Sequence, residues 1–359
     1  MKNKNKMKIL IYGANGYTGK LIVEKAVNSD YDITIAGRSI KSISKMGRQY
    51  NLSYLSFTLN EIKSNPKILK EFDIMLNCAG PFSQTAKPII DACVKSHTHY
   101  LDITGEIDIF RLGKSYHQKA IDSKVVICPG VGFDVIPTDC LASRLNEFLP
   151  NADELILGFE STAGKISPGT MATSIESIGY GGRIRKNGKI LKVPLVYKSQ
   201  KYDFGNGEKT MVTIPWGDVA TAGYSTNIPN ISVYIPMHPK QVQQLKRINW
   251  FPWLLRLEII QNFLKKKVKK KIKGPSIKER NNSKTYVWGQ IIKGNKVLEG
   301  QLVTSNGYDL TVDGSLAVID YIYKYKNDIK GGYFTPSQLC GNDLIEQLPK
   351  SSKIIIKEV

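Results

Sequence analysis

The apolar run Ile9-Leu10-Ile11-Tyr12 leads straight into Gly13-Ala14-Asn15-Gly16-Tyr17-Thr18-Gly19, and a segment of helical pattern follows. A strand that turns through such a loop into a helix admits few folds. Gly13 permits the tight turn, Gly16 lets the backbone approach a ligand, and Gly19 lets the helix lie close on the sheet. The N–H groups at the helix start, with the positive end of its dipole, then form a cradle for a diphosphate. The spacing is G-x-x-G-x-x-G rather than G-x-G-x-x-G. A glycine-rich turn without ligand is the competing explanation, and the agreement of strand, loop and helix weighs against it.

The same alternation continues to Cys128. Ile9 to Tyr12, Ile33 to Ala36, Ile74 to Asn77, Tyr100 to Ile103 and Val125 to Cys128 read as strands, with residues 17–29, 39–50, 60–70, 83–96 and 108–123 as the helices between them. Repeated strand–helix–strand units close through right-handed crossovers, which predicts an α/β, doubly wound parallel sheet of Rossmann type. After a helix from Asp139 to Phe148, Pro150 breaks the pattern. Leu155 to Phe159, Ile190 to Tyr197, Met211 to Ile214, Ile231 to Ile235, Thr285 to Ile292 and Lys296 to Thr304 are extended by pattern and separated by Gly, Asn and Pro turns. A length of 359 residues suits two domains. The expected division is a dinucleotide-binding domain over 1–138, a second α+β domain with a mostly antiparallel sheet over 139–310, and a C-terminal helix and tail over 311–359 that return to the first domain.

Cofactor preference is read at the end of the second strand. Proteins that bind NAD place an acid there, about 20 residues beyond the glycine loop, to accept the ribose hydroxyls. Here the stretch is Ala36-Gly37-Arg38-Ser39, and the acid is absent. Arg38 can pair with a 2′-phosphate and stack on adenine, with Ser39 and Lys41 as further donors, so the expected cofactor is NADP. A solvated surface arginine is the plain alternative. The loop Cys78-Ala79-Gly80-Pro81-Phe82 follows a strand that should lie beside the first, which puts it, with Thr104 and Gly105 after the next strand, at the cofactor edge of the sheet. A tight turn without ligand explains Gly80-Pro81 nearly as well.

Composition narrows the partners. With 42% hydrophobic and 23% charged residues the chain is neither collagen-like nor disordered. A net charge of +20 raises the question of nucleic acid. No helix-turn-helix, zinc-finger or RRM pattern accompanies it, and the lysines are scattered among Asn and Ile, so no nucleic-acid partner is expected. Cys78, Cys93, Cys128, Cys140 and Cys340 contain no C-x-x-C pair, and His97, His99, His117 and His238 form no ligand spacing, so no metal and a cytoplasmic setting are expected. One segment stands apart: Trp250-Phe251-Pro252-Trp253 and the apolar residues after it run into the lysine-rich Lys265–Lys273. It is too short to span a bilayer, so residues 250–273 are either a peripheral anchor on anionic lipid or a helix buried at a homodimer interface or over the substrate site.

With these segments placed, the chain resembles the saccharopine dehydrogenase-like oxidoreductases, and within them the branch that includes trans-acting enoyl reductases. The resemblance is carried by Tyr12–Gly19, Ala36–Ser39, Asn77–Phe82, Tyr100–Glu106 and Pro129–Asp134, and then by Ser167–Thr170, Ile214–Asp218, Gly274–Ser276, Gly307-Tyr308 and Thr335-Pro336. It implies an NADP-binding Rossmann domain followed by an α+β domain that shapes a substrate site and often an oligomer interface. Substrates with two amino-acid carboxylates would call for several convergent arginines, and only Arg183 and Arg185 lie in a suitable loop.

A reductase needs one proton donor beside the nicotinamide. Glu106 and Asp134 follow strands at the ligand-facing edge, and Tyr180, with Ser174 and Glu176, follows Gly169 in the second domain. Each has an ordinary structural explanation too: Glu106 and Asp134 as helix caps, Tyr180 as a packed aromatic beside Gly181-Gly182. The expected function is an NADPH-dependent oxidoreductase, a reductase of enoyl type acting on a small-molecule, lipid-like or polyketide-like substrate. The alternatives are an amino-acid or imine dehydrogenase of the same fold and a non-catalytic NADP-binding, membrane-associated protein.

Overall fold

The computed structural model describes residues 6–162, 165–203, 207–250, 253, 257, 259–261, 272 and 274–359. They form two compact units, Met1–Phe133 with Thr311–Cys340, and Asp134–Leu310 with Gly341–Val359.

The first unit alternates β1 (Lys8–Tyr12), α1 (Tyr17–Ala26), β2 (Asp32–Gly37), α2 (Ile40–Tyr50), β3 (Ser53–Ser56), α3 (Leu59–Ser64), β4 (Ile74–Asn77), α4 (Phe82–Ser96), β5 (His99–Asp102), α5 (Ile107–Ser115), α6 (His117–Asp122) and β6 (Val126–Cys128). Its sheet runs β3-β2-β1-β4-β5-β6, with Gly332–Tyr333 added beyond β6, and every pairing is parallel. Helices on both faces explain why Ile9 to Tyr12 and Ile74 to Asn77 are buried without alternation. The order reverses between β1 and β4, and the carboxyl ends of those strands flank the crevice where such sheets bind ligands. The edge strand β3, Ser53-Tyr54-Leu55-Ser56, has no apolar run and so no periodic signal in the sequence. The single helix expected over 108–123 is two, parted at Tyr116, whose hydroxyl donates to Asp91 Oδ1 at 2.6 Å.

The second unit centres on a mixed, mostly antiparallel sheet. Its path is Ser199–Asp203, Glu208–Ile214, Asn230–Pro236, Glu154–Ser161, Lys284–Lys293, Lys296–Ser305 and Ile355–Glu358, with the hairpin Gly182–Lys186 and Lys189–Val193 joined to Asn230–Pro236. Asn230–Pro236 and Glu154–Ser161 run parallel; the other neighbours are antiparallel. A helix, α7 (Ile136–Phe148), packs on it where the strands lack side chains: a Cβ on Gly300 would sit 2.7 Å from Leu141 Cδ1, and one on Gly289 3.1 Å from Leu145 Cδ1.

The chain returns to the first unit within the helix Gly307–Lys324, where Thr311 Oγ1 accepts from Phe133 N at 3.0 Å and Ser315 Oγ donates to Val131 O at 3.1 Å. The return ends at Cys340. Residues 341–359 do not stay with it, because Ile355–Glu358 adds to Lys296–Ser305 and belongs to the second unit. No helix among the described residues is long and apolar enough to cross a membrane. Most of 250–273 lies outside the described residues.

One buried charge in the second unit sets a pH dependence. Asp218 is fully buried, and burial, reinforced by the nearby Asp139 charge, holds its carboxyl well above the usual range. A raised folded-state pKa contributes stability that is complete below the unfolded value of about 3.9 and is lost as pH rises through the folded one, at up to ~1.4 kcal/mol per pH unit. Asp218→Asn, neutral throughout, should therefore gain stability over the parent chain as pH rises. Thermal denaturation at pH 5 and pH 8 should show a larger difference in Tm at pH 8; an equal difference at both would contradict the burial of an acid there.

Candidate functional site

At the end of β1 the chain turns on Gly13, whose φ is +80°, a region that L side chains avoid. Gly13 N and Ala14 N both donate to Ala36 O, at 2.8 and 3.3 Å, which ties the turn to the end of β2. Gly16 N closes it on Gly13 O at 2.9 Å. A Cβ on Gly13 would lie 2.7 Å from Ala79 N, and one on Gly19 2.5 Å from Gly13 O. The first glycine thus lets the loop after β4 press on the turn, and the third lets α1 sit against it. Gly16 is the N-cap of α1, and no side chain caps the helix. Asn15 and Gly16 are exposed at the turn, with Tyr17 and Thr18 partly so.

The neighbouring feature is the end of β2. A Cβ on Gly37 would meet Asn15 Oδ1 at 3.2 Å and Ile43 Cγ1 at 3.1 Å, so a side chain there is crowded from both sides. The next residue, Arg38, is exposed. Its charge reaches Tyr12, whose hydroxyl is raised by burial and partly lowered again by Arg38. The Tyr12 ring stacks on Phe57 with centroids 4.9 Å apart. Ser39 has a structural task as the N-cap of α2, its Oγ accepting from Ser42 N at 3.4 Å. Of the residues expected to meet a 2′-phosphate, Arg38 and Lys41 carry an exposed charge, and Arg38 lies directly at the end of β2.

Across the crevice, the loop Cys78 to Phe82 is held from two directions. Asn77 Oδ1 accepts from Ala79 N at 3.0 Å, and Thr85 Oγ1 donates to Ala79 O at 2.7 Å. From the other side the Glu106 carboxylate accepts from Phe82 N and Ser83 N, both at 3.1 Å, at the start of α4. Glu106 thus occupies the first free N–H groups of the 15-residue helix α4. Thr104, fully buried, accepts from Glu106 N on its Oγ1 at 3.1 Å. Behind these loops, Asp102 accepts from Tyr100 OH at 2.7 Å, Thr104 N at 3.0 Å and Gly130 N at 2.9 Å. Burial moves its carboxyl up to about 6 despite these three donors.

The remaining candidates are distributed otherwise. Asp134 opens the second unit, directly after the β6 loop, and burial moves its carboxyl up to about 7. Tyr180 lies in the second unit and is 53% exposed, in the turn after the helix Pro168–Ile178. Ser174 Oγ donates to Thr170 O within that helix at 2.9 Å, and the Glu176 side chain lies outside the described residues. Cys78 is held as a thiol, raised by burial and by the Asp102 charge. Each histidine has a local partner: His99 Nδ1 accepts from Val126 N, His117 Nδ1 from Tyr333 N, His238 caps a helix, and His97 Nδ1 lies 3.0 Å from Ser123 O. No group of three or more metal-ligating side chains occurs among the described residues.

Residues 9–126, which contain this crevice, match the family described as saccharopine dehydrogenase NADP binding domain. NADP is the cofactor of the saccharopine dehydrogenase NADP binding domain, and the site suits it: a glycine turn closed to side chains, a helix start with no side-chain cap, and an arginine where an acid would select NAD. The chain is 29% identical to a human saccharopine dehydrogenase-like oxidoreductase over 217 residues, 52% of this chain and 50% of that one. It is 30% identical to a trans-acting enoyl reductase of Mycobacterium tuberculosis over 139 residues, 36% and 33% of the two chains. It therefore spans about half the length of the curated relatives it matches. Among solved structures, saccharopine dehydrogenase (L-Glu forming) from Saccharomyces cerevisiae matches with a TM-score of 0.66 at 10% identity, covering 98% of this chain and all (100%) of that one. Homospermidine synthase from Legionella pneumophila, in complex with NAD, gives 0.66 at 11% identity over 99% and 92%. At such identities these structures speak for the fold.

Asp102, Tyr100 and Thr85 were not singled out in the sequence as site residues. The available signal was an acid ending the otherwise apolar strand His99-Tyr100-Leu101-Asp102. If Arg38 meets the 2′-phosphate, Arg38→Ala should weaken NADPH by about tenfold, the scale of one hydrogen bond to a charged group. NADH affinity should stay within about twofold. Fluorescence titration of both nucleotides measures this, and an unchanged ratio would remove Arg38 from the site.

Proposed function

We propose that this chain is an NADPH-dependent oxidoreductase, a reductase of an activated carbon–carbon double bond in a lipid-like or polyketide-like substrate. The observation that carries the cofactor half of this reading is the turn at Gly13, pressed against Ala79 and followed by a helix start that no side chain caps. Gly13 to Gly19 would hold the diphosphate, Arg38 the 2′-phosphate, and the loops Cys78 to Phe82 and Thr104-Gly105 would flank the nicotinamide half. When bound, NADPH supplies the hydride. What remains for the protein is to orient the ring, exclude water and deliver one proton.

The substrate half rests on two supports. One is the similarity to proteins named trans-acting enoyl reductase. The other is the state of Arg185, one of the two arginines that an amino-acid substrate would need. Arg185 is committed to the fold: Nε donates to Val219 O at 3.1 Å and Nη1 to Gly188 O at 2.8 Å, in space left by Gly223. That weakens the amino-acid dehydrogenase alternative.

Asp134 is our choice of proton donor. Its carboxyl is raised by burial to about 7, the range that suits a general acid, whereas both oxygens of Glu106 are engaged with backbone N–H groups of α4. Tyr180 remains a substrate-side candidate. If Asp134 donates the proton, turnover should fall as pH rises through about 7, where that carboxyl ionises. Asp134→Asn should lower kcat by about 10²-fold and abolish that limb while NADPH affinity is kept. With NADPH deuterated at C4, a lipid extract should acquire deuterium in a newly saturated product. Label in an amino acid, or none anywhere alongside tight NADPH binding, would refute the reductase reading.

Peripheral contact with a membrane is a further part of this proposal. Trp250 is 79% and Ile259 84% exposed, and seven lysines lie between Lys265 and Lys273 in the sequence. Interfacial tryptophan with adjacent lysine is the chemistry of an anionic lipid surface. The chain should sediment with phosphatidylserine vesicles at low salt and be released by about 0.5 M salt, which shortens the Debye length to a few ångströms. No sedimentation at low salt would exclude this contact.

A further inference from the structure

The polar groups at the carboxyl ends of β4 and β5 form a closed circuit. Asn77 Nδ2 donates to Thr85 Oγ1 at 3.1 Å and lies 3.4 Å from Tyr100 OH. Tyr100 OH donates to Asp102 Oδ2, and Asp102 Oδ1 accepts both Thr104 N and Gly130 N. Thr104 Oγ1 accepts from Glu106 N, and the Glu106 carboxylate returns to Phe82 N and Ser83 N, the far end of the loop that Asn77 and Thr85 hold at Ala79. The donors converge on the Asp102 carboxylate from both sides, Tyr100 OH from one and Thr104 N and Gly130 N from the other. Three loops, those after β4, β5 and β6, are referred to one buried carboxylate.

Asn77, Thr85, Tyr100, Asp102 and Thr104 are all buried, and the Asp102 carboxylate is met by neutral donors, a phenol hydroxyl and two backbone N–H groups. Burying an acid without a counter-ion is costly, and apolar residues would hold a sheet edge without that cost. What a carboxylate adds is a common acceptor for two backbone N–H groups and a hydroxyl, which fixes loop positions to within hydrogen-bond tolerance. In the order β3-β2-β1-β4-β5-β6, the loops it fixes lie on the β4–β6 side of the switch point. The glycine turn and Arg38 serve the other half of a dinucleotide.

We propose that Asp102 is a positioning residue for the nicotinamide half of the cofactor, acting through the loops Cys78 to Phe82, Thr104-Gly105 and Pro129-Gly130 and touching no ligand itself. This rests on the NADP reading of the crevice. It separates the two halves of the site: the adenosine-phosphate half is held by the Gly13 turn and Arg38 and is indifferent to Asp102.

The test compares NADPH with adenosine 2′,5′-bisphosphate, which carries only the adenosine half, in calorimetric titrations of the full chain. Asp102→Asn keeps the shape and an oxygen for the two N–H groups but loses the charge. It should weaken NADPH by about tenfold and leave the bisphosphate within about twofold. Asp102→Ala should weaken NADPH further, again without a matching loss of the bisphosphate. Glu106→Gln, at a part-exposed link of the same circuit, provides a second variant should those at 102 fail to fold, and the same asymmetry is expected. Equal weakening of both ligands, or of neither, in a folded variant would overturn the positioning role while leaving the cofactor reading intact. Failure of the parent chain to bind either ligand would overturn both.

Discussion

A Cβ on Gly13 would lie 2.7 Å from the backbone nitrogen of Ala79, so the turn after β1 and the loop after β4 approach too closely to admit a side chain between them. That contact exists because φ at Gly13 is positive and no side chain intervenes. It brings together the carboxyl ends of the two strands that flank the reversal of strand order. The Gly13 and Ala14 bonds to Ala36 O then draw in the end of β2, and with it Gly37 and Arg38. The crevice is therefore built by backbone approach, and the side chains around it refine what it can hold.

The two sides of the crevice use different physics. On the β2 side the proposed selective element is a surface charge: Arg38 is exposed, Gly37 is crowded by Asn15 and Ile43, and the acid that would favour a ribose hydroxyl is missing. On the β5 side a buried carboxylate and the hydrogen bonds it accepts tie the loops to one another. A phosphate can be attracted over a distance by a mobile guanidinium, whereas a hydride donor has to be placed. The division of labour along the sheet edge follows from that difference.

Much of this was legible in the residues. Apolar runs of four or five, each opening a helix, specify parallel strands covered on both faces, and the glycine spacing marks the first crossover. Arg38 was picked out because an acid is missing at a known offset, and its role remains a proposal. Other features have no local signature. β3 is a solvent-facing edge whose pairing is decided by β2, and Ile355–Glu358 finds its partner Lys296–Ser305 some fifty residues earlier in the chain. Glu106 was visible as an acid after a strand, but its placement on the N–H groups of Phe82 and Ser83 depends on how β4 and β5 pair. The Asp102 circuit is hidden for the same reason, since its members come from two strands, three loops and the helix α4, which only the fold assembles.

The account depends on a dinucleotide lying across the carboxyl edge of the first unit in one orientation. A crystal structure of the full chain with NADPH tests this most directly. It should show the diphosphate against the N–H groups that open α1, the 2′-phosphate within about 3 Å of the Arg38 guanidinium, and the nicotinamide beside Cys78 to Phe82 and Thr104. A cofactor bound elsewhere, or lying with its nicotinamide at Arg38, would contradict it.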